Sequence, residues 1–430
     1  MLRYEQYKPS GLDWLADVPS HWQVVANRAL FKERQEAGED GLPVLSVSLH
    51  TGVSDDEQNE EENARTRTRM ADRTSYKRVR PGDVAYNMMR AWQGAIGAVR
   101  TDGLVSPAYV VAAPTAALNP AYFEYLYRTD WLIGEMNRAS KGITDFRKRL
   151  YWQEFKQLST LLPPCDEQDS IVAFLDQKTA EIDSAIAKKA QLIELLEESK
   201  RCLVYDAVTR GLHGAVPLKK SGLSWLSNVP EHWELKRLKS VASFITSGPR
   251  GWSDRLSDDG AVFLQSGNLN NSLGIELDSA HRVVVPRGAE AKRTRLQDGD
   301  VLVCITGANT GRVAVASLGG QEAYINQHLS LIRLADANPR FVAYSLAAQG
   351  GSYFYLCQYG LKEGLSLFDV ANAPIIIPPL DEQNEIVAFL DQSVAKVDAA
   401  LAAAASQCGQ LEELKKAVIA SAVTGRSVRR

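Results

Sequence analysis

At 430 residues, with 45% hydrophobic and 23% charged residues, the chain has an ordinary globular composition and the length of two domains plus connecting structure. No run approaches the roughly 20 apolar residues of a membrane helix, and Met1 to Lys8 lacks the apolar core of a signal peptide, so a cytoplasmic protein without a membrane partner is expected. A formal net charge of −3 and five scattered cysteines without a Cys-x-x-Cys pair argue against a structural zinc site, a disulfide framework and a globally basic nucleic-acid binder.

The cysteines read as small apolar packing residues. Any DNA binding must come from local segregation of charge.

Taken in chain order, the first feature is Ser10-Gly-Leu-Asp-Trp-Leu-Ala-Asp-Val-Pro-Ser-His-Trp22. It recurs as Ser221-Gly-Leu-Ser-Trp-Leu-Ser-Asn-Val-Pro-Glu-His-Trp233, with nine of thirteen positions identical at an offset of 211. An acidic run, 55–62, precedes a basic block of Arg65, Arg67, Arg69, Arg73, Lys77, Arg78 and Arg80. If extended, the alternate arginines 65, 67 and 69 share one face and form a ridge suited to phosphates. A solvated surface strand is the alternative.

Arg80-Pro-Gly-Asp-Val84 then introduces a strand, a turn with Gly94 and a second strand, over Ala85 to Val99. A further strand is predicted from Val105 to Val111. Asn119-Pro120 predicts a helix start, with Asn as N-cap and Pro in the first turn. Pro163-Pro164 ends a strand, and Asp166-Glu167 open a helix expected over about 166–208. Its apolar residues Ile171, Leu175, Ile182, Ile186, Ile193, Leu196, Leu203 and Ala207 recur at heptad-like spacing.

The second copy repeats this order: basic Arg282, Arg287, Lys292, Arg293 and Arg295, then Gln297-Asp-Gly-Asp-Val301, strand–turn–strand over Leu302 to Ala316, with Gly311-Arg312 in the turn. A strand from Ile325 to Leu331 and a helix start at Asn338-Pro339 follow. Pro378-Pro-Leu-Asp-Glu-Gln-Asn-Glu-Ile-Val-Ala-Phe-Leu-Asp-Gln392 matches Pro163 to Gln177 at twelve of fifteen positions. Ile386, Leu390, Val397, Leu401, Leu411, Val418 and Ala422 continue the second seam. The chain is a duplication whose ends stayed alike while its middles diverged.

Two long helices with apolar seams are expected to pair antiparallel as a spacer between two heads. Two separate helical caps are the alternative. The first helix is acidic, with nine Asp/Glu against four Lys over residues 166–200, whereas basic residues gather in the heads.

Enzyme motifs are few. Asn119-Pro-Ala-Tyr122 and Asn338-Pro-Arg-Phe341 approach the adenine-holding motif of amino-methyltransferases but lack its second proline. Gly307 to Arg312 lacks the Gly-Lys-Ser/Thr of a P-loop. Glu290-Ala-Lys292 has nuclease-like spacing without a convincing Asp partner, and His21 and His232 suit a structural corner.

The Pro-Pro-x-x-Glu-Gln-x-x-Ile-x-x-Phe-Leu helix starts at 163–175 and 378–390, together with the Gly-Leu-x-Trp-Leu-x-x-Val-Pro-x-His-Trp openings at 11–22 and 222–233, resemble type I restriction-modification specificity subunits. That resemblance covers essentially the whole chain. It implies an α+β fold class, two pseudo-symmetric α/β target-recognition domains separated by two long antiparallel coiled-coil helices. The expected segments are target-recognition domains at 1–163 and 211–378, with spacer helices at 164–210 and 379–430.

By the same resemblance the chain is non-catalytic. It reads a bipartite, asymmetric double-stranded DNA target, one half-site per domain, across a gap that the helices set. Two modification subunits would carry S-adenosylmethionine and methylate adenine N6, and restriction subunits would supply ATP- and Mg-dependent translocation and cleavage; no cofactor is expected on this chain. Candidate DNA contacts, from charge alone, are Arg65, Arg67, Arg69, Lys77, Arg90, Arg282, Lys292, Arg293, Arg295 and Arg312. Candidate partner or spacer contacts are Gln168, Phe174, Leu196, Gln383, Phe389 and Leu411. An independent enzyme and a coiled-coil scaffold without a DNA role are the competing readings.

Overall fold

The computed structural model describes residues 4–49, 51–55, 73–142, 147–214, 216–349, 353–358 and 364–426. It comprises two compact units, Met1–Ala190 with Ser406–Arg430, and Gln191–Ala405. Each unit holds one head, the start of the long helix that leaves it and the end of the other long helix. The units therefore cut across the four-segment division expected above.

The repeated opening folds as a β-hairpin in both units: Tyr7–Leu12 on Leu15–Pro19, and Leu218–Leu223 on Leu226–Pro230. Its Ser-Gly-Leu triplet has a local reason. The Ser10 hydroxyl takes the Leu12 amide at 2.9 Å and donates to the Leu15 carbonyl, and Ser221 repeats this with Leu223 and Leu226. Gly11 and Gly222 turn the chain at φ +73° and +79°, a region that disfavours residues with a Cβ.

Each head is built on a four-stranded antiparallel sheet of the same order. In the first it runs Phe31–Glu33, Tyr109–Pro114, Val84–Asn87, Ile96–Ala98; in the second Ala242–Ser247, Leu329–Leu334, Val301–Cys304, Val313–Val315. The central hairpins share one register: Val84 faces Ala98 as Val301 faces Val315. These strands are apolar on both faces because core residues cover both sides; a near-continuous apolar run follows from that.

The single strand predicted from Val105 to Val111 is instead two, Gly103–Val105 and Tyr109–Pro114, and its counterpart is Ala323–Ile325 and Leu329–Leu334. Side chains break the ladder between them. Ser106 accepts the Ala108 amide at 3.3 Å beside Pro107, and Asn326 accepts the His328 amide at 3.0 Å, local bonds that compete with strand pairing.

The short helix Pro120–Tyr127 starts where expected. Asn119 accepts the Ala121 amide at 3.0 Å, and Asn338 accepts those of Arg340 and Phe341 at 2.9 and 3.2 Å at the start of Pro339–Gln349. Both asparagines are helix caps.

The long helices span Cys165–Arg210 and Leu380–Val423, of 46 and 44 residues, or about 65–70 Å each. They run antiparallel within each unit. In the first, Ile171, Val172 and Leu175 share a core with Ala422 and Val423, and Lys415 pairs with Asp183 at 2.7 Å. In the second, Ala207 and Val208 share a core with Ile386, Val387, Leu390 and Val394, and Lys200 pairs with Asp398 at 2.6 Å.

Two adjacent side chains at each helix start fasten these parts together. Glu167 accepts the Trp22 indole N–H at 2.9 Å, the Tyr4 hydroxyl at 2.9 Å and the His21 ring at 2.5 Å. Glu382 takes the Trp233 indole at 3.1 Å and His232 at 2.9 Å. Next in sequence, Gln168 accepts the Asn119 amide at 2.9 Å and donates to the Pro163 carbonyl at 2.8 Å. Gln383 does the same with Asn338 and Pro378, both at 2.8 Å. Trp22 and Trp233 are fully buried, so their indoles need these acceptors.

A second shared device lies under the Gly-Asp-Val turn. Asp83 is 1% exposed and takes Arg34 bidentately, Nε at 2.8 Å and Nη2 at 3.1 Å; Asp300, 2% exposed, takes Arg333 at 2.8 and 2.7 Å. Each Asp also accepts an amide of its own turn, Arg80 at 2.9 Å or Gln297 at 2.8 Å. The cysteine expectation needs correction: Cys304 is buried, but Cys165 and Cys202 are exposed and so are not packing residues.

Two predictions follow from these contacts. Burial alone pushes the Glu167 carboxyl up, but hydrogen bonds from Trp22, His21 and Tyr4 outweigh it and leave the group below the ordinary carboxylate range. Its contribution is therefore complete above the unfolded glutamate pKa, about 4.3, and is lost as pH falls through the lower folded value. Glu167→Gln should flatten the acid limb of melting temperature against pH, read by calorimetry between pH 3 and 7. Asp83→Ala should cost about 3 kcal/mol, since it removes the buried bidentate partner of the Arg34 guanidinium, leaving it only Glu36, and the acceptor of the Arg80 amide, read from urea unfolding at pH 7.

Candidate nucleic-acid interface

The ten charge-based DNA candidates fall into three groups. Arg65, Arg67 and Arg69 lie outside the described residues. Lys77, Arg282, Arg293, Arg295 and Arg312 are engaged within their heads. Lys77 donates to the Tyr109 carbonyl at 2.7 Å, Arg282 to Gly260 at 3.0 Å and Arg312 to Leu269 at 2.9 Å. Arg293 donates to the Thr246 hydroxyl and the Ser247 carbonyl, and Arg295 pairs with Glu322 at 3.5 Å. Arg90 and Lys292 are exposed and among the described residues have no such acceptor.

Much of the basic block before the first Gly-Asp-Val is neutralised. Arg78 grips Asp102 at 3.1 and 2.8 Å and Glu39 at 2.7 Å, and Arg80 pairs with Glu36 at 2.5 Å. The Arg78 hydrogen bonds hold the Asp102 carboxyl below its usual range, and those of Arg80 and Arg34 do the same for Glu36. Counting basic residues in sequence could not reveal this, because the acids come from 36, 39 and 102.

The two heads bring one variable surface together by the same backbone contact. The Leu150 amide donates to the Met88 carbonyl at 2.8 Å, and the Leu365 amide to the Ile305 carbonyl at 2.7 Å. This joins the turn of the central hairpin to the segment that precedes the last strand. In the first head the junction carries Met89, Arg90, Trp92, Arg147, Lys148 and Tyr151; the Lys148 ammonium lies 5.4 Å from the Trp92 ring centroid. In the second it carries Thr306, Asn309, Thr310 and His328, with Thr306 bonded to the His328 ring and Gln327 3.1 Å from its other nitrogen. Nearby Tyr355 is 74% exposed. One frame thus presents cationic and aromatic groups in one head and hydroxyl, amide, imidazole and phenol groups in the other.

The spacer and partner candidates divide likewise. Gln168 and Gln383 are 0% and 1% exposed, with both ends of each amide bonded inside the unit, so they offer no surface to another protein. Phe174 packs partly buried on the first core, whereas Phe389 is exposed; Leu196 and Leu411 are half-buried. Exposed Leu192, Leu195 and Leu414 on the same helices fall off the heptad seam and were not singled out by it.

The enzyme-like motifs have structural roles. Asn119 and Asn338 donate their amide nitrogens to Asp169 and Asn384 at 2.7 Å while capping their helices. Glu290 and Lys292 sit exposed on the short helix Ala289–Thr294. Among the described residues no group of three His, Cys, Asp or Glu is placed to hold a metal, and no helix is long and apolar enough to cross a membrane.

Residues 230–401 match the family model of the type I restriction modification DNA specificity domain. Among curated proteins the chain is 24% identical over 279 residues to the type I restriction enzyme EcoKI specificity subunit of Escherichia coli K12, covering 63% of this chain and 58% of that protein. It is 23% identical over 277 residues to the E. coli EcoBI specificity subunit, covering 61% and 57%. The match thus spans less than two thirds of those relatives' own length. Among solved structures, a chain from a study of complex assembly and conformational transition of the type I R-M system superposes with a TM-score of 0.73 at 18% identity, over 95% of this chain and 99% of that one. The HsdS subunit from Thermoanaerobacter tengcongensis gives 0.55 at 21% identity, over 95% and 98%. Residues 230–401 therefore match the type I restriction modification DNA specificity domain, and the fold along the chain is shared with these solved structures.

Proposed function

We propose that the chain is the DNA-reading subunit of a type I restriction-modification complex, selecting a two-part, asymmetric target through its two heads. One observation carries this reading. The contacts that hold each head to its long helix are the same in both copies, while the surface at the hairpin junction differs in chemistry. A constant frame with two unlike reading surfaces suits two unlike half-sites, since contacts to base edges carry the sequence information. The interval between half-sites is assigned to the long helices.

In this reading chemistry belongs to partners: two modification subunits with S-adenosylmethionine for adenine N6 methylation, and restriction subunits with ATP and Mg. The exposed leucines of the helices and Phe389 are the groups proposed to meet protein partners. The chain itself performs no methyl transfer and works in the cytoplasm.

The test is methylation of a randomised duplex library by the full chain co-purified with an adenine methyltransferase subunit of such a system. A two-part sequence preference is expected, with no methyl transfer by the chain alone. Transfer by the isolated chain, or methylation by the complex without sequence preference, would overturn the proposal. Asn119→Ser with Asn338→Ser, which keeps a capping oxygen, should leave the complex's activity within about twofold. Loss of methylation by a folded double variant would favour an intrinsic enzyme instead.

A further inference from the structure

Many cations of the first head are neutralised within it. Arg78, Arg80, Arg138 and Lys141 are paired with acids, and Arg100 and Arg128 both meet Glu124. Arg90 and Arg147 are exposed and, among the described residues, have neither an acid nor a carbonyl as partner. Arg147 adjoins Lys148, which sits over the Trp92 ring two residues from Arg90.

The backbone that carries Arg90 is fixed while its side chain is free. Asn87 accepts the Met89 amide at 3.0 Å with its side chain and the Arg90 amide at 2.9 Å with its carbonyl. The Arg90 carbonyl in turn accepts the amides of Gln93 at 2.9 Å and Ala95 at 3.1 Å. Gly94 closes the turn at φ +99°, and the Trp92 indole donates to the Met89 carbonyl at 2.9 Å. A turn already fixed has no backbone freedom left to lose on binding, so only the side-chain rotamers need ordering. Met89 and Tyr151 are 40% and 44% exposed beside it, and a thioether and a phenol ring can pack against a planar or methyl-bearing surface.

Given that the heads bind duplex DNA, we propose that Arg90 is a specificity-determining residue of the first head. Its guanidinium takes the O6 and N7 acceptors of one guanine in the major groove, with Met89 and Tyr151 against neighbouring bases and Arg147 on phosphate. Guanine alone offers two acceptors matched to the guanidinium fork. The second head has Gly307 at the corresponding place, so this reading belongs to one half-site only.

The experiment compares the assembled complex of the wild-type chain with Arg90→Ala and Arg90→Lys, on a duplex library at graded salt. Both variants should lose preference for guanine at a single position of one half-site, by about tenfold to one-hundredfold. The other half-site's preference should stay intact and shows that the complex is assembled. Arg90→Lys keeps the charge, so its salt dependence should match the wild type's. If Arg90→Ala instead weakens all sequences equally and lowers the salt slope by about one, Arg90 touches phosphate and the proposal falls. Unchanged profiles in both variants also overturn it. A wild-type complex without two-part preference defeats the underlying DNA reading, whatever the variants do.

Discussion

Glu167 and Gln168 stand side by side in the first turn of a helix and reach opposite ways. The carboxylate holds the buried indole of the opening segment, and the amide holds the backbone at the cap of the short helix. Glu382 and Gln383 repeat the arrangement. Three segments far apart in sequence thereby meet at one helix end, in the positive field of the macrodipole that also suits a carboxylate. An apolar replacement of the glutamate would leave a fully buried indole N–H without its acceptor, and one of the glutamine would leave the half-buried cap amide without its own.

That constraint explains the pattern of divergence. Most of what the pair touches kept its residue type, namely the His-Trp corner, the Asn-Pro cap and the Pro-Pro stop; Tyr4, which also donates to Glu167, is replaced by Ala215 in the second copy. Beyond the central sheet the heads differ: Ala323–Ile325 of the second lies in a four-stranded sheet with Ala261–Leu264, His281–Val283 and Leu256–Ser257, whereas its counterpart Gly103–Val105 pairs with Lys77–Val79. The hairpin junction lies between these regimes. Its backbone contact persists while its side chains do not, as the proposed reading surface on a constant frame would require.

The frame was legible in the sequence because duplication exposes it. Two copies of one motif separate residues under constraint from residues that drift, and the heptad spacing and Asn-Pro caps carry their own physical signals. Gln168 stayed open between partner and spacer contacts for the same reason: repetition marks constraint but does not say whether a partner protein or an interior amide imposes it. The reading surface was harder. Arg78 and Arg80 look as available as Arg90 in sequence, and only the placement of Glu36, Glu39 and Asp102 separates them. Trp92, Lys148 and Tyr151 carry no spacing signal, because they meet through a tertiary contact.

The buried aspartates of the two Gly-Asp-Val turns show what drift can do while chemistry stays fixed. Arg34 follows strand Phe31–Glu33 and opposes Val111 on the adjoining strand, whereas Arg333 belongs to that adjoining strand's counterpart. By sheet register, the place of Arg34 is taken in the second head by Thr246, and that of Arg333 in the first by Ala113. The cation has changed strands, and the carboxylate has kept its company. Kinship of this kind lives in space rather than in columns of aligned letters, so identity scores between such heads understate how much physics they have inherited in common.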